Sequence, residues 1–291
     1  MFYLKKRRKQ MIALCLSAAL SVGSLTAYAA TEYWNDASTK PMVETKTPIS
    51  DNTNWEQWKA GWDNLKTNYE QVALTPGADF SKLNFGWYSK EKANEAVVRI
   101  ADNKDMKNAK EFKGTCTEGT VINGVQYYSN KVTADGFEPN TTYYYQVKLN
   151  GKWQQAHEYK TGDPHNFSFM YVGDPQIGAS KGQVPNESAV EQSEDVAARN
   201  DAYNWNKTLN SALAQHPEIN FLVSPGDQIN EPAGNNAEKH LLQEYEYSGY
   251  LSATAFRNLP QAVAIGNHDC LTTSYQNHFN VPNPFTLITT P

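Results

Sequence analysis

The 291-residue chain has little cysteine and, beyond its first 29 residues, no long apolar run and no excess of positive charge. Of three cysteines, Cys15 lies in an N-terminal apolar segment, which leaves Cys116 and Cys270. Two cysteines do not make a disulfide scaffold, and no Cys/His spacing matches a structural zinc site. A single bridge and two buried thiols both remain open. Internal repeats and low-complexity tracts are also absent, which excludes solenoids and fibrous arrays.

The N-terminus is the exception to the charge pattern. Lys5, Lys6, Arg7, Arg8 and Lys9 precede an apolar, small-residue stretch from Met11 to Leu25, and Ala27-Tyr28-Ala29 fits a small-x-small cleavage site. This reads as a secretory signal over residues 1–29, too short and wrongly flanked for a membrane span. The expected location is therefore outside the cell or at its surface, with no span after cleavage. Without this segment, 21 basic face 31 acidic side chains, a net charge of −10. An acidic surface argues against nucleic acid or anionic lipid as partner, so a phosphate substrate would need a local cation.

Residues 30–70 read as a polar linker followed by a helix. Trp55, Trp58, Trp62, Leu65 and Tyr69 recur at spacings of 3, 4, 3 and 4, one helical face, and Thr53 with Glu56 fits a capping box. An exposed tryptophan stripe could bind sugars. Such periodicity ordinarily marks burial, so packing against the next domain is expected.

Across residues 71–163, short β-rich runs (Leu83 to Ser89, Ala96 to Ile100, Val121 to Tyr128, Tyr143 to Leu149) alternate with turns such as Asn123-Gly124, Asp135-Gly136 and Asn150-Gly151. This texture predicts a β-sandwich. Tyr143 sits where the corner tyrosine of a fibronectin type III-like strand would, its hydroxyl bonding to upstream backbone.

Residues 164–291 change to β-α-β-α-β. The expected strands are Phe167 to Val172, Phe221 to Ser224 and Gln261 to Ile265. The expected helices are Asp201 to Gln215 and Ala237 to Phe256, the latter interrupted near Gly249. Strands alternating with helices predict a parallel sheet, whose ligand sites lie beyond the strands' carboxyl ends. Three polar turns fall there: Gly173-Asp174-Pro175-Gln176, Gly226-Asp227-Gln228-Ile229-Asn230 and Gly266-Asn267-His268-Asp269. Glycine permits the sharp turn, and the next residue aims an oxygen at a shared point. One Gly-Asp pair is an ordinary turn. Three at successive strand ends form a candidate cage for hard or borderline metal ions, with His268 beside it to move protons. Two divalent ions about 3.5–4 Å apart would activate water and neutralise phosphoryl oxygens.

These turns resemble the first three motifs of the calcineurin-like metallophosphoesterases. The β-module before them resembles the layout of purple acid phosphatases. The resemblance implies a fibronectin type III-like sandwich followed by an incomplete metallophosphoesterase domain. It also implies a dinuclear centre of divalent Fe, Zn or Mn and hydrolysis of phosphomonoesters. Asp174 would bind the first metal, Asp227 would bridge, Asn267 would bind the second, and His268 would assist the leaving group.

The sequence departs from that pattern in three places. Gln176 stands where many members have a histidine ligand, so it is a weaker candidate ligand. Asn230 occupies the position of the purple subgroup's tyrosinate, which predicts a colourless protein. No Gly-His-x-His turn follows Asp269, so the chain is expected to be an inactive fragment of a longer enzyme. His278 is expected to be structural, and His157, His165, His216 and His240 are not expected to replace the missing ligands. The alternatives are a phosphodiesterase or nucleotidase, and a non-catalytic cell-surface binding protein.

Overall fold

The computed structural model describes residues 55–181, 193–232 and 236–282. The expected signal segment and Thr53 lie outside the described residues.

Helix α1 (Trp55–Lys66) buries Trp55, Trp58 and Trp62, as the periodicity predicts. Its main partners are helices later in the chain, not the strands that follow it. It packs on helix α2 (Glu194–Gln215), where Trp55 and Trp58 meet the Tyr203 ring edge-on, at centroid distances of 5.1 and 5.7 Å. Trp62 Nε1 donates to Asp195 Oδ1 (2.8 Å), and Trp58 Nε1 donates to the Arg199 carbonyl (2.9 Å). Trp58 and Trp62 thus bury their rings while the one donor of each is satisfied.

Eight strands make the antiparallel module: β1 (Ala73–Pro76), β2 (Lys82–Ser89), β3 (Ala96–Ala101), β4 (Lys110–Ile122), β5 (Val125–Asp135), β6 (Thr142–Leu149), β7 (Lys152–Trp153) and β8 (His157–Lys160). The order is β1-β2-β5-β4-β3-β6-β7, with β8 also on β6. Two separate sheets would be the ordinary sandwich, but here β4 belongs to both halves. Lys110 to Gly114 pairs with β3, and Thr115 to Ile122 pairs with β5. Gly114 stands at the changeover, where a Cβ would lie 1.9 Å from the Lys131 carbonyl oxygen. The sheet therefore curls on itself. It encloses Leu83, Phe85 and Trp87 of β2, Val132 and Ala134 of β5, Val98 and Ile100 of β3, and Tyr145 and Val147 of β6.

The Val121 to Tyr128 run is not one strand. Asn123 (φ 50°) and Gly124 (φ 78°) split it into a two-residue hairpin, because both adopt the left-handed conformation that such turns need. The Tyr143 hydroxyl accepts the Glu138 backbone N–H at 2.9 Å, the corner bond expected from sequence.

Three parallel strands form the second sheet: β9 (Ser168–Tyr171), β10 (Ile219–Ser224) and β11 (Gln261–Val263), in the order β11-β10-β9. Helix α2 and helix α3 (Ala237–Leu251) come between them in the chain. Helix α2 begins seven residues before the expected Asp201, because Ser193 caps it from the Val196 N–H and Glu194 and Asp195 favour its first turn. Helix α3 passes unbroken through Gly249, where a Cβ would sit 3.0 Å from the Ala202 Cβ. Glycine there permits close contact with α2. The helix ends at Leu251, and a separate 3₁₀ turn spans Thr254–Arg257. Leu222, Met170 and Val263 face the helical core with Ile177, Tyr250 and Phe256. The opposite sheet face carries Phe169, Tyr171 and Phe221, the first two exposed, with the Phe169 and Phe221 rings stacked at 5.5 Å.

The two regions meet through a buried polar seam. Short helix α4 (Ser274–His278) places His278 Nε2 2.8 Å from Glu244 Oε2, with both side chains almost wholly buried. Ser274 Oγ donates to Glu244 Oε1 (2.8 Å), and Ser129 Oγ of β5 donates to the Asn277 carbonyl (2.7 Å). Cys116 and Cys270 are both free, but neither is the buried thiol that one sequence alternative expects: Cys116 is half-buried, and Cys270 is exposed in the turn after Asp269. No helix among the described residues is long and apolar enough to cross a membrane.

Candidate metal centre

The three polar turns follow β9, β10 and β11 and emerge at one edge of the parallel sheet, beyond the strands' carboxyl ends. Backbone bonds lock the first turn to the second. The Gln176 N–H donates to the Asp227 carbonyl (3.0 Å), and Ile177 forms an isolated parallel bridge with Ile229.

Three non-glycine residues here hold left-handed backbone: Asp174 (φ 51°), Gln176 (φ 32°) and Asp227 (φ 52°). Side chains with a Cβ rarely adopt this conformation, and it persists where the surroundings over-determine it, often at functional sites. Asp227 follows Gly226 (φ 130°), and its carboxylate fits against Gly266, where a Cβ would lie 2.0 Å from Asp227 Oδ1. The missing Cβ lets the second and third turns touch.

Asp227 is buried, and both of its oxygens are engaged. Oδ1 accepts the His268 backbone N–H (2.9 Å), and Oδ2 accepts the Gln176 side-chain amide (3.3 Å). One residue from each turn is thereby joined at Asp227. His268 is half-buried, and its Nδ1 bonds the Asn230 carbonyl. A carbonyl can only accept, so Nδ1 carries the proton and Nε2 is left to exchange one. Asp174 and Asn267 are exposed, and neither side chain has a hydrogen-bond partner among the described residues.

Three further carboxyl groups shape the site, and none was singled out from sequence. Asp269 is fully buried. Its Oδ2 accepts the Gly266 N–H (3.0 Å) and the Gln228 N–H (3.4 Å), and its Oδ1 accepts the Tyr247 hydroxyl (3.0 Å). Burial raises its pKa against the lowering effect of those donors. Asp201 of α2 accepts the N–H groups of Gly178 (2.9 Å) and Ser180 (3.1 Å), behind the first turn. Glu246 of α3 accepts those of Asn230 (2.9 Å) and Glu231 (2.7 Å), behind the second. Burial pushes the Glu246 carboxyl well above the usual carboxylate range, again opposed by its two backbone donors. A signal for Glu246 was available: it shares a helical face with Leu242 and Gly249, and a carboxyl group on a buried face needs partners.

The donor set tests the fit of a metal. Asp174, Gln176, Asp227 and Asn267 offer hard oxygens but no imidazole. Among the described residues, no group of three or more His, Cys, Asp or Glu side chains is placed to hold a metal ion. By themselves these residues do not fit a dinuclear centre; they provide one side of an oxygen-rich site. None of His157, His165, His216, His240 and His278 belongs to such a group. His240 bonds Thr120 Oγ1 (2.7 Å), and His278 is paired with Glu244.

Residues 69–161 match the family model of the purple acid phosphatase N-terminal domain. The chain is purple-acid-phosphatase-like in this module. Among solved structures, a purple acid phosphatase (PPD1) from yellow lupin (Lupinus luteus) seeds shares its fold with a TM-score of 0.50. The two are 16% identical over 74% of this chain and 41% of that one. A structure of PhoD is 15% identical over 69% of this chain and 40% of its own, with a TM-score of 0.40. The chain thus spans about two-fifths of the length of both structures. No curated protein sequence matches the chain.

Proposed function

We propose that this chain carries the first half of a metal-dependent phosphoesterase site, and that the substrate is a phosphomonoester. The observation that carries this reading is the convergence on Asp227. Its carboxylate ties Gln176 of the first turn to His268 of the third, at the strand edge where ligands bind.

In this reading Asp174, Gln176, Asp227 and Asn267 supply oxygen donors for divalent Fe, Zn or Mn. The remaining ligands come from sequence outside the described residues. A bound metal would neutralise phosphoryl oxygens and acidify water. As a water oxygen bonds to phosphorus, releasing a proton to solvent, and the ester P–O bond breaks, His268, protonated on both nitrogens, would give its Nε2 proton to the leaving oxygen while Nδ1 stays bonded to the Asn230 carbonyl. The positive-φ backbone of Asp227 holds its carboxylate in place before substrate arrives, so the site needs little reorganisation. Asn230 in place of a tyrosinate supports a colourless enzyme. The basic-then-apolar N-terminus with Ala27-Tyr28-Ala29 supports secretion, and the corner bond of Tyr143 supports a fibronectin type III-like reading of the first module.

The test is hydrolysis of an aryl phosphate with added Mn²⁺ or Zn²⁺, by this chain and by the chain extended in its natural reading frame. Metal-dependent turnover in the extended form, lost in Asp227→Asn, is the expected result. Absence of turnover in both forms with every metal overturns the proposal.

A further inference from the structure

The imidazole of His268 does not end at its first hydrogen bond. Its Nδ1–H is accepted by the Asn230 carbonyl. That carbonyl belongs to the same peptide unit as the Glu231 N–H, which donates to Glu246 Oε2 at 2.7 Å. The Asn230 N–H donates to the same oxygen at 2.9 Å. One carboxyl oxygen of α3, almost wholly buried, therefore grips two successive N–H groups of the segment that faces His268.

We propose that Glu246 is a positioning residue for His268, acting through the peptide unit that joins Asn230 to Glu231. The physical argument has two parts. A peptide group that donates at its N–H polarises its own carbonyl, which becomes a stronger acceptor for the imidazole proton. The two-pronged grip also fixes the peptide plane, and with it the direction in which the carbonyl meets the ring. The ring is then held as the Nδ1–H tautomer, with Nε2 left for proton exchange. Either protonation state of Glu246 serves, because a carboxylate and a carboxylic acid can both accept on Oε2.

Other contacts support this assignment. Gly178 is packed against Glu246, and a Cβ at that position would lie 2.2 Å from Glu246 Oε1. The carboxyl group thus sits between the segment after the first turn and the segment after the second. Asp201 accepts N–H groups from the neighbouring Gly178 and Ser180. Two helices each lend one carboxyl group to the back of the site, and among the described residues it is the Glu246 bonds that lead to the imidazole.

The inference takes the role of His268 from the phosphoesterase reading, but its test uses neither metal nor turnover. Nitrogen NMR of the ¹⁵N-labelled chain reports the tautomer directly. The wild type should show His268 protonated at Nδ1, with that proton protected from exchange. Glu246→Gln, which retains a side-chain oxygen, should keep this signature. Glu246→Asn, which withdraws the oxygen by one methylene, should lose the protected Nδ1–H signal and populate the Nε2–H form. The buried His278 signals serve as a check on the fold. An Nε2–H tautomer in the wild type overturns the proposal whether or not a variant folds. An unchanged His268 in folded Glu246→Asn also overturns it. If the tautomer behaves as expected while neither this chain nor its extended form hydrolyses aryl phosphate with any added metal, the positioning role stands and the phosphoesterase reading fails.

Discussion

The antiparallel module and the parallel-sheet region use left-handed backbone for different ends. In the module it falls mostly on residues that tolerate it: Asn108, Asn123, Gly124, Gly136, Asn140, Asn150 and Gly151. These turn the chain and let the sheet curl around its core. In the parallel region it falls on Gly178 and Gly226 but also on Asp174, Gln176 and Asp227, which lie in the first two polar turns. The first region uses backbone geometry to close a fold, and the second uses it to present side chains. A strained non-glycine residue therefore points to function more directly than a turn glycine does.

The sharpest way to break this contrast is to cut the seam that joins the two regions. His278→Leu leaves the fully buried Glu244 carboxyl group without its imidazole partner. Loss of one partner from a buried pair costs about 3–5 kcal/mol. The unfolding midpoint in urea should fall accordingly, with both regions losing structure together. If the module unfolds at its wild-type midpoint, the seam does not couple them.

Glycines give the next largest effect and a direct comparison. Gly266→Ala forces a Cβ to within 2.0 Å of Asp227 Oδ1 and 2.2 Å of its backbone nitrogen. Overpacking of this kind costs about 1–3 kcal/mol. Gly124→Ala meets no atom within 4 Å and suffers only the left-handed backbone (φ 78°), worth about 1–2 kcal/mol. Calorimetry should show the larger drop in melting temperature for Gly266→Ala. The reverse order would mean that the site turns relax more readily than the hairpin.

Two carboxylates on α3 sharpen the comparison through pH. Burial alone would raise Glu244, but the electrostatic effect and hydrogen bond of His278, with help from His240 and then Ser274, hold it below its ordinary value of 4.5. A depressed carboxylate stabilises the fold above that value and loses the contribution as pH falls through its folded pKa. Glu246 is raised, so its contribution is complete below 4.5 and is lost as pH rises through its higher folded pKa. Stability against pH, followed by urea unfolding, should lose its acid limb in Glu244→Gln and its alkaline limb in Glu246→Gln. Identical profiles for the two variants would show that the seam and the site feel the same field.

Much of this was legible in the sequence. The tryptophan spacing gave the buried face of α1, and the alternation of strand and helix gave the parallel sheet with its turns at one edge. Asp227, Gln176 and His268 could be singled out because each lies in a turn just past an apolar run. The supporting carboxyl groups were not legible as a set, because Asp201, Glu246 and Asp269 acquire their partners only when two helices and three turns come together. The partner of α1 was hidden for a similar reason: Tyr203 is far along the chain, and periodicity says that a face is buried but not against what. The path of β4 through both halves of the module was also hidden. Gly114 shows its purpose only beside the Lys131 carbonyl.

The smallest expected effect tests the module alone. Tyr143→Phe removes the hydroxyl that accepts the Glu138 N–H and leaves the ring packed edge-on against Phe137 at 4.9 Å. A single hydrogen bond of this kind is worth about 0.5–1.5 kcal/mol. Glu138 is exposed, so water can satisfy the freed N–H and the cost should lie near the lower end of that range. The urea midpoint should shift slightly, and the His268 Nδ1–H signal should not change, because no contact of Tyr143 reaches the polar turns. A change in that signal would mean that the corner of the module and the candidate site are mechanically linked. The division between a region that closes a fold and a region that presents side chains would then have to be abandoned.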